Sequence, residues 1–353
     1  MTGQRVVITE LGDEPLQAIE RFAALQPMEP PDPATLSANE VVIRIESAAV
    51  GWVDLLMASG QYQHVPAPPY TPGLEYAGHV HWAGPAANVE VGARVVVDPF
   101  AAGPRSHGAY RAQGGFATYA VAPADAVMAI PGELTIDQAC NLFGNYETAY
   151  HALITRGRLC AGETVLVHGA SGSVGLAAVH VAKLVGATVI ATGRSAAKLE
   201  IVRAQGADHA VAIHEGWRDE VKALTGGGGV DVVYDGVGGD ISLATLRCVK
   251  FGARYLIVGW ASTPFAARGG NAANQLPTNL IMMKGLDVLG CPMVIATVND
   301  PSLRRGRLDQ VLAWARAGRI APLVARTYPL AEFATAMRAK WHGEVVGGIV
   351  LHP

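Results

Sequence analysis

The sequence predicts an α/β protein in two parts, a mostly β first part followed by a doubly wound parallel sheet. The chain has 353 residues, enough for about two domains. Up to about residue 130, short β-branched or alternating segments are broken by Gly and Pro. From about residue 140, short apolar strands alternate with helical segments, a pattern typical of a parallel sheet covered by helices on both faces.

Turn residues bound each predicted strand of the first part. The predicted strands are residues 6–9, 40–46, 78–82, 94–97 and 116–121. Two proline-rich stretches, residues 27–33 and 66–72, are interpreted as connectors between them. The first part is therefore expected to be an irregular, mostly β domain.

Strands and helices alternate in the second part, where Gly186 and Gly206 end the first two helices. The predicted strands are residues 164–167, 188–192, 210–213, 230–234, 254–258 and 286–289, and the predicted helices are residues 174–185, 196–205, 218–224 and 240–249. A later helix over 303–317 and a strand over 347–351 are expected to rejoin the first domain. The predicted domains are residues 1–135, completed by 296–353, and residues 136–295.

Composition and charge exclude several classes of protein. The 27 Lys and Arg nearly balance the 30 Asp and Glu, so we expect no nucleic-acid partner. The longest stretch without charge, residues 164–182, contains two histidines and three glycines, and we expect no membrane-spanning segment. The first 30 residues lack a basic start followed by an apolar run, and the four cysteines form no C-x-x-C pair. We therefore expect a cytoplasmic protein without disulfides.

A glycine-rich turn joins the first strand of the second part to its helix. Ala170, Gly172 and Gly175 fill an A-x-G-x-x-G variant of the dinucleotide-binding motif. The helix that follows would offer N–H groups and a partial positive charge to a pyrophosphate. A plain structural turn is the alternative. The residues predicted to bind the cofactor here are Ala170, Ser171, Gly172, Ser173, Val174 and Gly175.

The end of the next strand predicts which dinucleotide binds. An acidic residue about 20 residues after the glycines would bind the ribose of NAD, but no carboxylate occurs before Glu200. Two basic side chains and a hydroxyl occur instead. They suit the 2′-phosphate of NADPH, which is therefore the predicted cofactor. The residues concerned are Gly193, Arg194, Ser195 and Lys198, and His214 is placed beside the adenine ribose. The alternative, a solvated basic helix start, fits Lys198 better than Arg194.

Six segments together resemble the medium-chain dehydrogenase/reductase superfamily, in its zinc-free quinone oxidoreductase (zeta-crystallin-like) branch. They are VGWVDLLMASGQY (50–62), YTPGLEYAG (70–78), GGFATYAVAP (114–123), GASGSVG (169–175), VVYDGVGG (232–239) and LIVGW (256–260). The resemblance implies a GroES-like mostly β domain plus a Rossmann domain, with the active site in the cleft between them. It also implies a homodimer or homotetramer, and contacts to the nicotinamide from Thr148, from the backbone of Val258 and Gly259, and from Asn279.

Relatives that use catalytic zinc hold it through Cys, His and Cys. The first Cys position reads Gly51 here and the His position reads Leu74, although the neighbouring Glu75 is kept. Residues 99–113, where relatives carry a four-Cys structural zinc lobe, contain no cysteine. His79 and His81 would share a strand face, but we assign no metal to them. The sequence therefore predicts no metal site.

Without such a Lewis acid, the acceptor must already be electron-poor, as a quinone or an α,β-unsaturated carbonyl is. Tyr62 would donate a hydrogen bond or a proton to the acceptor, or else anchor the wall of the site. Gly51 stands where many quinone reductases have Asn, which leaves room for a larger acceptor or a water. Trp52 and Tyr146 would line the acceptor pocket, with core packing as the alternative.

Two other functions stay open. An enoyl-thioester (acyl-CoA) reductase would need a basic entrance for the CoA phosphates, for which Arg105, Arg111 and Arg268 are candidates unless they are ordinary surface residues. A low-turnover NADPH-binding protein is the third interpretation. The first hypothesis is an NADPH-dependent, zinc-independent reductase of a small-molecule quinone or enone.

Overall fold

A computed structural model describes residues 3–263 and 274–353, and Arg268 lies outside them. The strands are β1 Gly3–Ile8, β2 Ala23–Met28, β3 Glu40–Ala49, β4 Glu75–Ala83, β5 Arg94–Val97, β6 Tyr119–Pro123, β7 Val127–Ala129, β8 Thr164–His168, β9 Thr188–Gly193, β10 His209–Ala212, β11 Val230–Asp235, β12 Val249–Ile257, β13 Asp287–Gly290, β14 Val324–Pro329 and β15 Gly348–His352. The helices are α1 Pro15–Phe22, α2 Trp52–Ala58, α3 Ile136–Ala139, α4 Phe143–Tyr150, α5 Ser173–Val185, α6 Ala196–Ala204, α7 Trp217–Leu224, α8 Asp240–Thr245, α9 Thr278–Lys284, α10 Met293–Asn299, α11 Ser302–Arg316 and α12 Phe333–Trp341. A π-helical segment, His151–Arg156, continues α4.

The chain divides into two compact units. The first unit comprises Met1–Phe143 and Ala321–Pro353, and the second comprises Gly144–Ile320. Within the described residues, no helix has both the length and the apolar character that a membrane span requires.

The first unit is built on a seven-stranded sheet. Its strands run in the order β14-β15-β3-β4-β5-β7, and β6 pairs with β3. Most pairs are antiparallel, as in β3 with β4 and β6. Alternating β-branched residues on β3 put Val41, Ile43 and Ile45 in the core, where they pack with Phe116 and Met337. Each such side chain contributes roughly 1.5–3 kcal/mol by burial. The expectation of a mostly β first part is confirmed.

The second unit contains a six-stranded sheet in the order β10-β9-β8-β11-β12-β13. Each of its neighbouring strand pairs is parallel. Helices cover both faces of such a sheet, which explains why Val165, Leu166 and Val167 of β8 are all buried. The strand order reverses between β8 and β11, and dinucleotides bind at this kind of switch point. The predicted doubly wound sheet is confirmed.

The unit boundaries differ from the predicted ones. Residues 296–320 belong to the second unit rather than the first, because the buried Glu147 carboxylate binds Arg304 and Arg307 of α11 at 2.9 and 3.0 Å. Residues 136–143 belong to the first unit, where the Cys140 Sγ lies 3.3 Å from Ser47 Oγ of β3. Both boundaries differ from the predicted ones because these residues bind partners that are distant in sequence.

Candidate active site

The turn between β8 and α5 is shaped by two glycines. Gly169 has a φ of +64°, in the left-handed region that favours glycine. A Cβ at Gly175 would lie 2.3 Å from the Gly169 carbonyl oxygen, so no larger residue fits without moving the backbone. The Ala170 N–H donates to the Thr192 carbonyl at 3.2 Å and fastens the turn to β9. The turn is therefore held in one conformation by the protein itself.

Gly172 differs from these glycines because packing does not require it. A Cβ there would meet only the Gly169 carbonyl oxygen, at 3.5 Å, which is ordinary contact. Gly172 is exposed and forms the N-cap of α5 without a side-chain cap, while Ser171, Ser173 and Val174 beside it are half-buried. The start of a 13-residue helix is thus accessible at the switch point, and its positive end suits a pyrophosphate. These residues fit the phosphates of a dinucleotide.

A buried histidine ends the strand that leads into this turn, and no local sequence pattern indicates its role. His168 ends β8, with Nδ1 2.7 Å from Thr192 Oγ1 and Nε2 2.8 Å from Thr245 Oγ1. Burial lowers the pKa of His168 to about 4, so the ring is neutral at physiological pH. Both ring nitrogens have partners, and the ring joins the ends of β8 and β9 to α8.

A buried aspartate closes a second network at the end of β11. Oδ1 of Asp235 accepts hydrogen bonds from the N–H groups of Val237 and Gly238 at 2.8 and 2.9 Å. Its Oδ2 accepts from the hydroxyls of Tyr255, at 2.7 Å, and Ser242. The Asp235 carbonyl also accepts from the N–H of Val258 at 2.8 Å and of Gly259 at 3.2 Å. Asp235 therefore positions the two residues whose backbone is predicted to contact the nicotinamide.

The predicted 2′-phosphate residues lie together between β9 and α6. Arg194 is exposed, and its guanidinium makes no hydrogen bond or ion pair with any other described residue. Ser195 caps α6, its hydroxyl accepting from the Lys198 N–H at 3.4 Å. Both ring nitrogens of His214 have partners within six residues of it. Nδ1 accepts from the Gly216 N–H at 3.1 Å, and Nε2 lies 3.2 Å from Glu220 Oε2. The unengaged group at this strand end is thus the Arg194 cation.

The other predicted residues of the second unit have these positions. The Thr148 hydroxyl, on α4, donates to the Gly144 carbonyl at 2.6 Å. Tyr146 is buried, and its hydroxyl lies 2.7 Å from His180 Nδ1. Asn279 is exposed in the first turn of α9. Their roles toward cofactor and acceptor stay predictions.

In the first unit, the buried Asp54 carboxylate lies beside Gly51 and Leu74, the two positions at which zinc-binding relatives have metal ligands. Asp54 Oδ2 accepts from the Gly51 N–H at 2.9 Å, and Oδ1 accepts from Gly73 and Leu74 at 2.9 and 3.1 Å. A Cβ at Gly51 would lie 2.8 Å from Asp54 Oδ2, so an Asn or Cys there would displace this carboxylate. Burial raises the pKa of Asp54 to about 6. Gly51 is therefore explained by its close approach to Asp54.

The residues present do not fit a catalytic zinc. Glycine has no donor side chain at position 51, and Leu74 offers none at the histidine position. Among the described residues, no three His, Cys, Asp or Glu side chains are grouped to hold a metal ion. His79 instead pairs with Glu46, Nδ1 to Oε1 at 2.6 Å.

Two aromatic residues predicted for the acceptor site lie on or just after α2. Trp52 stacks on Trp341 with ring centroids 4.5 Å apart and planes at 7°, a packing contact. Tyr62 is half-buried, and its hydroxyl has no hydrogen bond to another described residue. The Tyr62 ring meets the His64 ring edge-on at 6.2 Å. Tyr62 therefore keeps its hydroxyl available for a ligand.

Comparison with known proteins identifies the family. A model described as an alcohol dehydrogenase GroES-like domain matches residues 37–132, and one described as a zinc-binding dehydrogenase matches residues 173–304. The first range lies in the first unit and the second range in the second, which confirms the GroES-like and Rossmann parts. The quinone oxidoreductase-like protein 2 homolog of Nematostella vectensis is 31% identical over 350 residues, covering 98% of this chain and 88% of that protein.

Solved structures agree on the fold and differ in their coenzyme. A mycobacterial protein solved with NADPH has a TM-score of 0.79 at 26% identity, covering 99% of this chain and all of that one. A structure named as an NAD-dependent alcohol dehydrogenase has a TM-score of 0.82 at 26% identity, covering 99% of both chains. The fold thus does not select the coenzyme. The chain belongs to the quinone oxidoreductase branch of the medium-chain dehydrogenase/reductase superfamily and is an oxidoreductase.

Proposed function

We propose that this oxidoreductase is an NADPH-dependent, zinc-independent reductase that transfers hydride to a quinone or an activated enone. The observation that carries the proposal is the positive charge at the end of β9, where Arg194 is exposed and its guanidinium has no partner among the residues that the structure describes. A guanidinium matches a 2′-phosphate with paired hydrogen bonds, whereas the acid of an NAD site would repel that phosphate. No carboxylate occurs between residues 192 and 199.

The chain's own residues divide the binding of the cofactor between them. The turn at Gly172 and the start of α5 would hold the pyrophosphate, and Arg194, Ser195 and Lys198 would hold the 2′-phosphate. Thr148, Asn279 and the backbone at Val258 and Gly259 would border the nicotinamide, and His214 the adenine ribose. When bound, NADPH supplies the hydride.

The side chains at the lost zinc positions support an electron-poor acceptor. Oxidising an alcohol requires help in removing its proton, and neither Gly51 nor Leu74 can hold the zinc that gives this help in relatives. A quinone or enone needs only a hydrogen bond to its oxygen as hydride adds. Tyr62 is the donor we propose, because the residue is half-buried and its hydroxyl has no hydrogen bond to another described residue.

An enoyl-thioester reductase is the second candidate, and one observation favours it. Arg105 and Arg111, proposed above as a basic entrance, adjoin His64 in the first unit, and their charges act on its imidazole. Crotonyl-CoA turnover would identify this activity.

A coenzyme and acceptor panel tests the proposed function. Consumption of NADPH and of NADH is followed with 1,2-naphthoquinone, an alkenal and crotonyl-CoA. We expect NADPH to support reduction of the quinone or the alkenal, with a clear preference over NADH. Efficient ethanol oxidation with NAD, or stoichiometric zinc in the purified protein, would contradict the proposal. NADPH binding without reduction of any acceptor would favour a low-turnover binding protein.

We also propose that the chain forms a homodimer or homotetramer. Phe251, Met282 and Met283 are 83%, 73% and 59% exposed, and all three lie near the edge strand β13 of the second unit. Large exposed apolar side chains beside an edge strand are typical of a contact surface. Sedimentation equilibrium gives the assembly size directly.

A further inference from the structure

The first unit contains a cluster of cationic and imidazole side chains between β5 and β6. Arg105, His107 and Arg111 come from this connection, residues 98–118. His64 comes from the loop after α2, and its ring meets the His107 ring edge-on at 5.1 Å. The cluster adjoins Tyr62, whose ring contacts His64 at 6.2 Å.

Arg105 is the buried member of this cluster. It is 6% exposed, although the sequence offers no reason to distinguish it from an ordinary surface arginine. Its Nε and Nη1 are buried without a hydrogen-bond partner among the described residues. Its guanidinium lies 5.6 Å from the Phe100 ring centroid. Asp54 attracts it electrostatically, but that carboxylate already accepts three backbone N–H groups.

The neighbouring side chains leave more donors without partners. Arg111 donates through Nη2 to the Val65 carbonyl, while its Nε is buried without a partner among the described residues. The Nε2 atom of His64, a donor or an acceptor depending on the tautomer, is also buried without a partner among the described residues. Burial, and then the charges of His107, Arg111 and Arg105, lower the pKa of His64. The region is therefore rich in positive charge and in unsatisfied donors.

An arrangement of this kind is costly unless an anion completes it. A buried cation without hydrogen-bonded partners loses the solvation it had in water, and buried donors are satisfied in nearly all folded proteins. Two guanidinium groups match the oxygens of a carboxylate or a phosphate, which are acceptors only. Among the described residues, neither guanidinium has a hydrogen bond to a residue of the coenzyme turn or to Asp54.

We infer that Arg105, Arg111 and His64 form an oxyanion-binding subsite that takes a carboxylate or phosphate group of the acceptor. This inference rests on the proposed reductase function and narrows its substrates to quinones or enones that carry an anionic group. Tyr62 would lie between that anchored group and the rest of the acceptor. The shared chemistry is a tetrahedral or planar oxyanion bound by two guanidinium groups.

Binding of a molecule that cannot be reduced tests the subsite without turnover. Calorimetry compares 3-benzoylpropionate with its methyl ester, and inorganic phosphate serves as a third probe. In the wild-type protein, the carboxylate or the phosphate is expected to bind, and the ester is expected to bind about 10- to 100-fold more weakly than the acid. Arg105→Gln and Arg111→Gln are expected to remove this preference, while Arg5→Gln, an exposed arginine of β1, leaves it unchanged. Equal affinity for acid and ester, with no phosphate binding, would overturn the inference.

Stability and turnover separate a binding role from a structural one. Because Arg105 is buried without partners for two of its nitrogen atoms among the described residues, Arg105→Gln should keep or raise the melting temperature of the ligand-free protein; a large fall would show a structural role instead. With NADPH as the hydride source, benzoylacrylate should have a lower KM than its methyl ester, and Arg111→Gln should equalise the two. Phosphate binding without preference for the acid over the ester would assign the site to a phosphate group such as that of CoA. If the protein binds benzoylpropionate but reduces none of the acceptors, the oxyanion subsite is supported and the proposed reductase function is refuted.

Discussion

Buried polar groups behave differently in two regions of this molecule. At the carboxyl ends of the parallel strands, the Asp235 carboxylate accepts four hydrogen bonds, and His168 uses both ring nitrogens. In the connection between β5 and β6, Arg105 and Arg111 keep buried nitrogen atoms without partners among the described residues. We call the Asp235 and His168 networks closed, because these side chains have partners within the protein, and the donors of Arg105 and Arg111 open, because no described residue accepts from them.

The difference separates groups that shape the backbone from groups that bind. A closed network adds rigidity because each member would be left unsatisfied if one were removed. Open donors cost stability and persist where function requires them. Two groups of the second unit are exceptions, because they are buried without a hydrogen-bond partner among the described residues: both ring nitrogens of His151, in a π-helical segment, and the hydroxyl of Tyr234, beside Asp235 on β11.

Removing the centre of the closed network should have the largest effect. Asp235→Ala leaves two hydroxyls and two backbone N–H groups without an acceptor, and we expect a loss of about 3–5 kcal/mol in the free energy of unfolding. Asp219→Ala, at an exposed carboxylate in the first turn of α7, should cost less than about 1 kcal/mol. Chemical denaturation measures both, and similar values for the two variants would break the comparison.

The two glycines of the coenzyme turn should separate folding from binding. Gly175→Ala places a Cβ against the Gly169 carbonyl and should cost about 1–3 kcal/mol of stability. Gly172→Ala meets no close atom and should cost less than about 1 kcal/mol, yet it should weaken NADPH binding because it adds a methyl group at the N-cap of α5, where the pyrophosphate is proposed to bind. Thermal unfolding and coenzyme titration of the pair provide the measurement. Undiminished NADPH affinity in Gly172→Ala would place the pyrophosphate elsewhere.

The pH dependence of stability should report the buried histidines. Burial lowers the pKa of both His168 and His151 from 6.5 to about 4, so the unfolded chain binds protons that the folded one does not. The contribution of these histidines to the free energy of unfolding is therefore fully present above about pH 6.5. It decreases as the pH falls toward 4, by about 1–2 kcal/mol per histidine at pH 5. His168→Gln should reduce this fall, and His151→Leu should reduce it without weakening coenzyme binding. Identical pH profiles for wild type and His168→Gln would contradict a neutral buried ring.

Much of the second unit was predictable because parallel strands buried on both faces are continuous apolar runs ended by glycine. The predicted strand at 164–167 is β8 to within one residue, and the helix at 174–185 is α5 to within one residue. The helix predicted over 240–249 ends earlier, at Thr245, because β12 begins at Val249 and pairs with β11. Periodicity alone could not show where pairing begins.

The first unit was harder to predict, since its short elements depend on distant partners. Strand β2 runs through Pro27, which lies in the stretch interpreted as a connector, because it pairs only with β1. Arg105 is buried by contacts that no local pattern encodes. His168 and Asp235 bind residues far along the chain, although a charged residue ending the apolar strand 230–234 was a usable signal.

The central claim is that the Arg194 cation selects the phosphorylated coenzyme, and equilibrium binding tests it most directly. Dissociation constants of NADPH and NADH are measured by Trp fluorescence for the wild-type protein and for Arg194→Ala. Losing a charge-assisted hydrogen bond should weaken NADPH by about 10- to 100-fold and leave NADH within about twofold. Equal weakening of the two coenzymes, or tighter binding of NADH by the wild-type protein, would contradict the account.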